Sequence, residues 1–196
     1  MSVSKLGMAK KALIRLGASP IVTLTDTSKN AVTCNTLLAG VIDYVLCEYP
    51  WKCVECRSAL SQIGPPSFGY DFQYELPNDP WCLVPRKLYI GDVETMLPWK
   101  VEERYLLTNQ DNKEEEVSLI YTQRPSIMKD LSTWVEGLIV LRLAFEACFA
   151  ITQSSNLKTE IWNEYQDALM KAKMRDGGIN YVEGEDGNTA WETAGR

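Results

Sequence analysis

The sequence predicts an α+β fold: a bundle of about four helices, an inserted small antiparallel β-sheet, and an extended C-terminal tail. Three observations carry this expectation. Apolar residues recur at helical spacing in four segments, two before residue 50 and two after residue 125. Between them, over about 52–121, turn signals come at short intervals: Gly64-Pro65-Pro66, Leu76-Pro77-Asn78-Asp79-Pro80, Val84-Pro85, Gly91-Asp92 and Asn109-Gln110-Asp111-Asn112. Residues 176–196 are Gly-rich and acidic and have no useful apolar period.

The first helix is expected over 3–17. Ser4 can cap it, Leu6, Ala9, Leu13 and Leu16 recur near helical spacing, and Gly17 stands as its stop. After an extended loop, Ser28 or Asp26 can cap a second helix over 29–49, with Val32, Leu37, Leu38, Val41, Ile42, Val45 and Leu46 as a broad stripe. Tyr49-Pro50-Trp51 ends it, because the residue before a proline disfavours helical backbone. Strand candidates follow at 52–60, 69–76, 82–90, 99–107 and 115–121, with Val117–Tyr121 as the second strand of an exposed hairpin next to Lys113-Glu114-Glu115-Glu116.

Pro125-Ser126 opens a third helix over 126–152. Its stripe is Trp134, Leu138, Leu141, Phe145 and Phe149, and Gly137, Ala144, Ala147 and Ala150 would let another helix approach closely. Ser154-Ser155-Asn156 breaks it. The fourth helix runs over 156–175 with Ile161, Tyr165, Ala168 and Leu169 inward, and Gly177-Gly178 ends it. Residues 1–175 then form one domain and 176–196 its tail, in which Tyr181, Val182 and Trp191 are spaced like anchors. A segment with anchors and no core of its own is expected to lie against something.

Composition excludes several kinds of chemistry. The 196 residues include no histidine, which removes Ser-His and Cys-His nucleophilic arrangements and every His-containing zinc site. The net charge is −6, and Lys10-Lys11 and Arg86-Lys87 are isolated pairs, so tight binding to nucleic-acid phosphates is not expected. No membrane span is expected, since the apolar run at Leu138–Leu143 is broken by Arg142, and the N-terminus has no signal-peptide pattern. Among the six cysteines only Cys53 and Cys56 have ligand-like spacing, and a second close pair is lacking. Reduced thiols, mostly buried, and no cofactor or metal are expected, with Cys34 and Cys148 the most clearly apolar in setting.

Phe68, Tyr70, Phe72 and Tyr74 alternate at period two, which places them on one face if the chain there is extended. They run into Leu76-Pro77-Asn78-Asp79 and then a hydrophobic strand candidate. That passage, with helices on either side and Tyr49-Pro50-Trp51 before it, resembles the head-to-tail adaptors of tailed bacteriophages, in particular the tail tubular protein A family of short-tailed phages. The resemblance implies a structural virion protein and not an enzyme, made in the host cytoplasm. It implies a homo-oligomeric ring, commonly a dodecamer, that docks on the portal protein, joins it to the tail nozzle or a tail tubular B-like protein, and extends the DNA channel without specific DNA binding. It also implies that the tail, with Tyr181, Val182, Trp191 and Arg196, contacts the portal. Exposed β-loops carrying Phe68, Tyr70, Asn109 and Asp111 would face the nozzle. Two other readings stand beside it: a small cytosolic interaction or assembly-chaperone module, and a hydrolase built on a carboxylate pair, Asp71 with Glu75 or Asp92 with Glu94.

Overall fold

A computed structural model describes residues 4–111 and 115–178. Its architecture is α+β, with four helices and two small antiparallel sheets.

The helices begin where hydroxyl side chains can replace missing backbone partners. Helix α1, Lys5–Arg15, starts at Ser4, whose Oγ accepts from the Gly7 N–H at 3.0 Å. Helix α2, Lys29–Glu48, starts at Ser28, whose Oγ accepts from the Ala31 N–H. Asp26, the other candidate cap, instead closes the preceding turn by accepting from the Val22 and Thr23 N–H groups. Those hydrogen bonds to Thr23 hold its carboxyl below its ordinary pKa.

Helix α3 is Thr133–Thr152, so the expected start at 126 is too early. The chain after Pro125 stays irregular through a single 3-10 turn, Met128–Asp130, which buries Met128 and Leu131 against the bundle. Helix α4, Ser155–Gly177, follows after two residues. Gln153 takes a left-handed conformation (φ 55°), and Ser154 caps α4 by accepting from the Leu157 N–H.

Helix α3 is the centre of the bundle, with α1, α2 and α4 packed around it. That position explains its composition, since Val135, Leu138, Ile139, Val140, Leu141, Leu143, Ala144 and Ala147 are all buried. The expected stripe is partly right: Leu138 and Leu141 are buried, Trp134 and Phe145 pack at the margin, and Phe149 is exposed. Of the small residues, Ala144 and Ala147 serve the close packing, while Gly137 and Ala150 face outward. Arg142 interrupts the apolar run because its guanidinium lies 4.1 Å from the Tyr44 ring centre and pairs with Glu146. Helix α2 is by length and composition apolar enough to cross a membrane, with mean hydropathy 1.3 over its best window. Its buried residues, from Ala31 to Leu46, lie in the core shared with α3.

The β module holds two sheets where one was expected. Strands β1 (Glu55–Ala59), β4 (Cys82–Ile90), β5 (Val93–Glu94) and β8 (Val117–Gln123) form one in the order β1-β8-β4-β5. Strands β2 (Ser61–Ile63), β3 (Phe72–Glu75), β6 (Trp99–Glu102) and β7 (Tyr105–Thr108) form the other, in the order β2-β3-β7-β6. The chain passes between sheets at Leu60, which is buried and donates its N–H to the Val117 carbonyl at 2.8 Å. A second apolar core, including Leu60, Tyr74, Leu88, Leu106, Leu119 and Tyr121, draws on both sheets.

Several strand expectations are corrected by this topology. Residues 52–54 form a 3-10 turn, and the candidate at 99–107 is the hairpin β6–β7. Glu103 at its tip has φ 53°, a conformation that costs an L-residue about 1–2 kcal/mol. Glu103→Gly is therefore expected to stabilise the protein by about 0.5–1 kcal/mol after the glycine's extra unfolded-state freedom is subtracted. A urea midpoint that does not rise would contradict this. Strand β8 is not the partner of β7. It pairs with β1 and β4 in the other sheet, because burying Val117, Leu119 and Tyr121 against that core outweighs a local hairpin. Lys113 and Glu114 of the expected hairpin cap lie outside the described residues.

Candidate partner-binding surface on the β module

The β module is held to the bundle by named contacts. Trp51 is fully buried and donates its indole N–H to the Val45 carbonyl at 2.8 Å, which turns the chain sharply out of α2. Arg124, where the chain returns, donates from Nε and Nη2 to the two carboxylate oxygens of Asp43 in α2. Strand β4 carries two register shifts, one next to Pro85, where a missing N–H is tolerated. Between Pro85 and Lys87, Arg86 reaches from the Thr122 hydroxyl to the Cys47 carbonyl at the end of α2.

Alternation along β3, β6 and β7 sorts the side chains of the second sheet. Phe72, Tyr74, Trp99, Val101 and Leu106 pack on the core. Gln73, Lys100, Glu102, Tyr105 and Leu107 line a cleft of about 490 Å³ on the other face. The register sets Gln73 beside Leu107 and Leu107 beside Lys100. Loop 64–71 forms the cleft's remaining wall through Pro66, Phe68 and Tyr70. Lys100 and Glu102 pair at 2.7 Å on an open rim, and that hydrogen bond raises the lysine pKa. An exposed pair of this kind contributes little to stability, so the rim remains free to exchange partners.

The aromatic alternation expected from the sequence holds only for Phe72 and Tyr74. Gly69 (φ 90°) reverses the chain before β3, so Phe68 is 87% exposed and Tyr70 is half-buried. The fold nevertheless brings the two candidate loops together. The Asp71 N–H donates to Asn109 Oδ1 at 3.0 Å, and the Tyr74 hydroxyl donates to the Gln110 carbonyl at 2.6 Å. Phe68, Tyr70 and Asn109 thus belong to one end of one sheet, and Asp111 closes the described part of the same loop.

A further apolar tip escaped the sequence reading. Val93, Met96 and Leu97, in β5 and the loop after it, are exposed, Met96 at 98%. The available signal was Thr95-Met96-Leu97-Pro98, an apolar pair between turn signals with no alternation.

The Leu76–Pro80 passage has a structural role. Arg104 donates to the carbonyls of Cys82, Leu76 and Pro77 and to Asn78 Oδ1, at 2.7–3.2 Å, while its guanidinium lies 3.9 Å from the Trp81 ring centre. One cation therefore organises the whole loop.

The carboxylate pairs are not arranged alike. Asp71 lies in the bend just before β3, where its N–H is held by Asn109 Oδ1, and Glu75 ends the strand, where its carboxylate accepts from Asn78 Nδ2 at 2.8 Å. Glu94 is engaged by Lys87 at 2.7 Å. All six cysteines are free thiols. Cys34, Cys82 and Cys148 are buried, and burial pushes the Cys82 pKa up to about 11. Among the described residues no group of three or more His, Cys, Asp or Glu is placed to hold a metal ion.

Tyr181, Val182, Trp191 and Arg196 lie outside the described residues. The root of their segment is well defined. Asp176 is buried and accepts from the Lys52 N–H, and Gly177 lies against Tyr49. The segment therefore leaves the bundle beside the junction with the β module. Neither known family models nor curated proteins match this chain.

Proposed function

We propose that this chain is a head-to-tail adaptor of a tailed bacteriophage, a ring subunit that docks on the portal and connects it to the tail nozzle. The observation that supports this best is the placement of the β module. It leaves the bundle at Trp51 and returns at Arg124, so one helical body carries one β excursion with exposed apolar tips at Phe68 and Met96. That is the order of elements on which the resemblance to the tail tubular protein A family rests.

In this reading the bundle contacts neighbouring copies too weakly for the chain to associate alone but strongly once it is gathered on a portal ring.

 Docking raises the local concentration of neighbours, so many small contacts act together. Exposed Ile14, Val32, Phe149, Met170 and Met174 are apolar positions open to such neighbours. The loops bearing Phe68, Tyr70, Asn109 and Asp111 face the nozzle component, and the tail with Tyr181, Val182, Trp191 and Arg196 meets the portal. DNA passes through the ring without being read, in keeping with the net charge of −6.

Native mass spectrometry of the purified chain, alone and with a candidate portal ring, tests this. The expected result is a monomer alone and a stoichiometric ring on the portal. A stable monomer that ignores portal rings would sink the proposal.

A further inference from the structure

We infer that Asp176 is a releasable latch that couples the end of α4 to the seat of the β module. Its residue is 1% exposed, and its Oδ2 accepts from the Lys52 N–H at 3.2 Å, across 124 residues of chain. Lys52 opens the 3-10 turn 52–54, which leads directly into β1. The residue before that turn is Trp51, whose side chain gives it no cap. The first turn of the β module therefore takes its cap from the last turn of the bundle.

The fastening is narrow. Helix α4 packs along α3, and it reaches the end of α2 through single side chains. The Tyr165 hydroxyl donates to Glu48, Lys173 Nζ lies 5.8 Å from the Tyr49 ring centre, and Gly177 stands against the Tyr49 hydroxyl. Asp176 goes further, past Trp51 to the chain that becomes β1.

The latch is also poised to open. Asp176 Oδ1 and Lys52 Nζ are both buried and have no hydrogen-bond partner. Closed, the latch gains one hydrogen bond and keeps from water two strongly polar atoms that are costly to bury unpaired. Opened, it loses that bond and returns both atoms to solvent. These opposed terms bring the closed and open arrangements close in free energy, which a two-state element requires. When the end of α4 moves away, the turn 52–54 loses its acceptor; when the turn moves, the end of α4 loses its hold. Such coupling is reciprocal. On the adaptor reading it joins the portal-facing end of the chain to the nozzle-facing module; the latch itself concerns the isolated chain and stands without that reading.

Hydrogen exchange of the full chain, read by mass spectrometry without any portal, tests the latch in both directions. Asp176→Ala removes the acceptor, and residues 52–59 should exchange on the order of tenfold faster. Lys52→Pro removes the donor at a position where the preceding residue is already extended (φ −63°, ψ 126°), so the backbone accommodates the ring. Nothing on α4 has then changed, yet residues 173–178 should exchange faster by a similar factor. Lys52→Met keeps the N–H and removes only the buried ammonium, so protection at both ends should be kept or rise. In all three variants α1 and the centre of α3 should keep their protection. An effect confined to the substituted side would overturn the proposal. So would a loss spread through α1 and α3, or loss of the fold, which would make Asp176 an ordinary support of the core. A Lys52→Met variant that loses as much protection as Lys52→Pro would assign the effect to the side chain and overturn it too.

Discussion

Trp51→Ala is expected to destabilise the protein by about 3–5 kcal/mol, the usual cost of removing a buried large aromatic side chain. The residue is fully buried in the helical core, and its ring lies 4.8 Å from that of Tyr49. It also stands where α2 gives way to β1, so its loss should loosen the seat of the β module as well as the bundle. Trp51→Phe separates the two roles. It keeps most of the packing but leaves the Val45 carbonyl without its indole donor, at a cost of about 1–3 kcal/mol. Urea unfolding, followed by far-ultraviolet circular dichroism, measures both. If the alanine variant unfolds at the midpoint of the unaltered protein, Trp51 does not hold the junction.

Arg104→Ala is expected to cost about 2–3 kcal/mol, because hydrogen bonds from a charged donor are worth more than neutral ones and their carbonyl acceptors are left unpaired. The loss should be local first. Residues 76–82 should exchange their amide hydrogens faster, while the helices keep their protection. Arg104→Lys should rescue little, since an ammonium cannot span the Cys82, Leu76 and Pro77 carbonyls and Asn78 in one plane while stacking on Trp81. A lysine variant as stable as the original would show that the charge alone matters and that the planar fork does not.

The two substitutions also separate what a partner would feel. Trp51 supports the attachment of the β module, and Arg104 supports the loop within it. On the adaptor reading, the first change should weaken ring formation on a portal, and the second should spare ring formation while impairing attachment of the nozzle component. Electron microscopy of portal complexes with each variant would distinguish these outcomes.

Much of the helical framework was legible in the residues themselves. Ser4 and Ser28 cap the helices they were expected to cap, Gly17 follows α1 with positive φ, and Ile161, Tyr165 and Leu169 are buried as their spacing implied. These features depend on neighbours within a few residues, where 3.6-residue periodicity and cap chemistry act. The start of α3 was misread because Pro125-Ser126 looks like a helix entry, while the burial of Met128 and Leu131 holds the following turn against the bundle.

The β module was legible as strands and turns but not as sheets. Period-two alternation shows which side chains share a face and leaves open which strand lies beside which. Strand β1 finds β8 across the chain, with Glu55 opposite Thr122, and β3 finds β7, with Phe72 opposite Thr108. The hydrogen bond from Asp71 to Asn109 and the Arg104 clamp likewise join residues far apart in sequence. By itself, then, the sequence determined the helices, their caps and the α+β class, because those rest on local backbone preferences. Only the tertiary structure decided strand partners, the division into two sheets and the shape of each surface, because those follow from burying one shared core between distant segments.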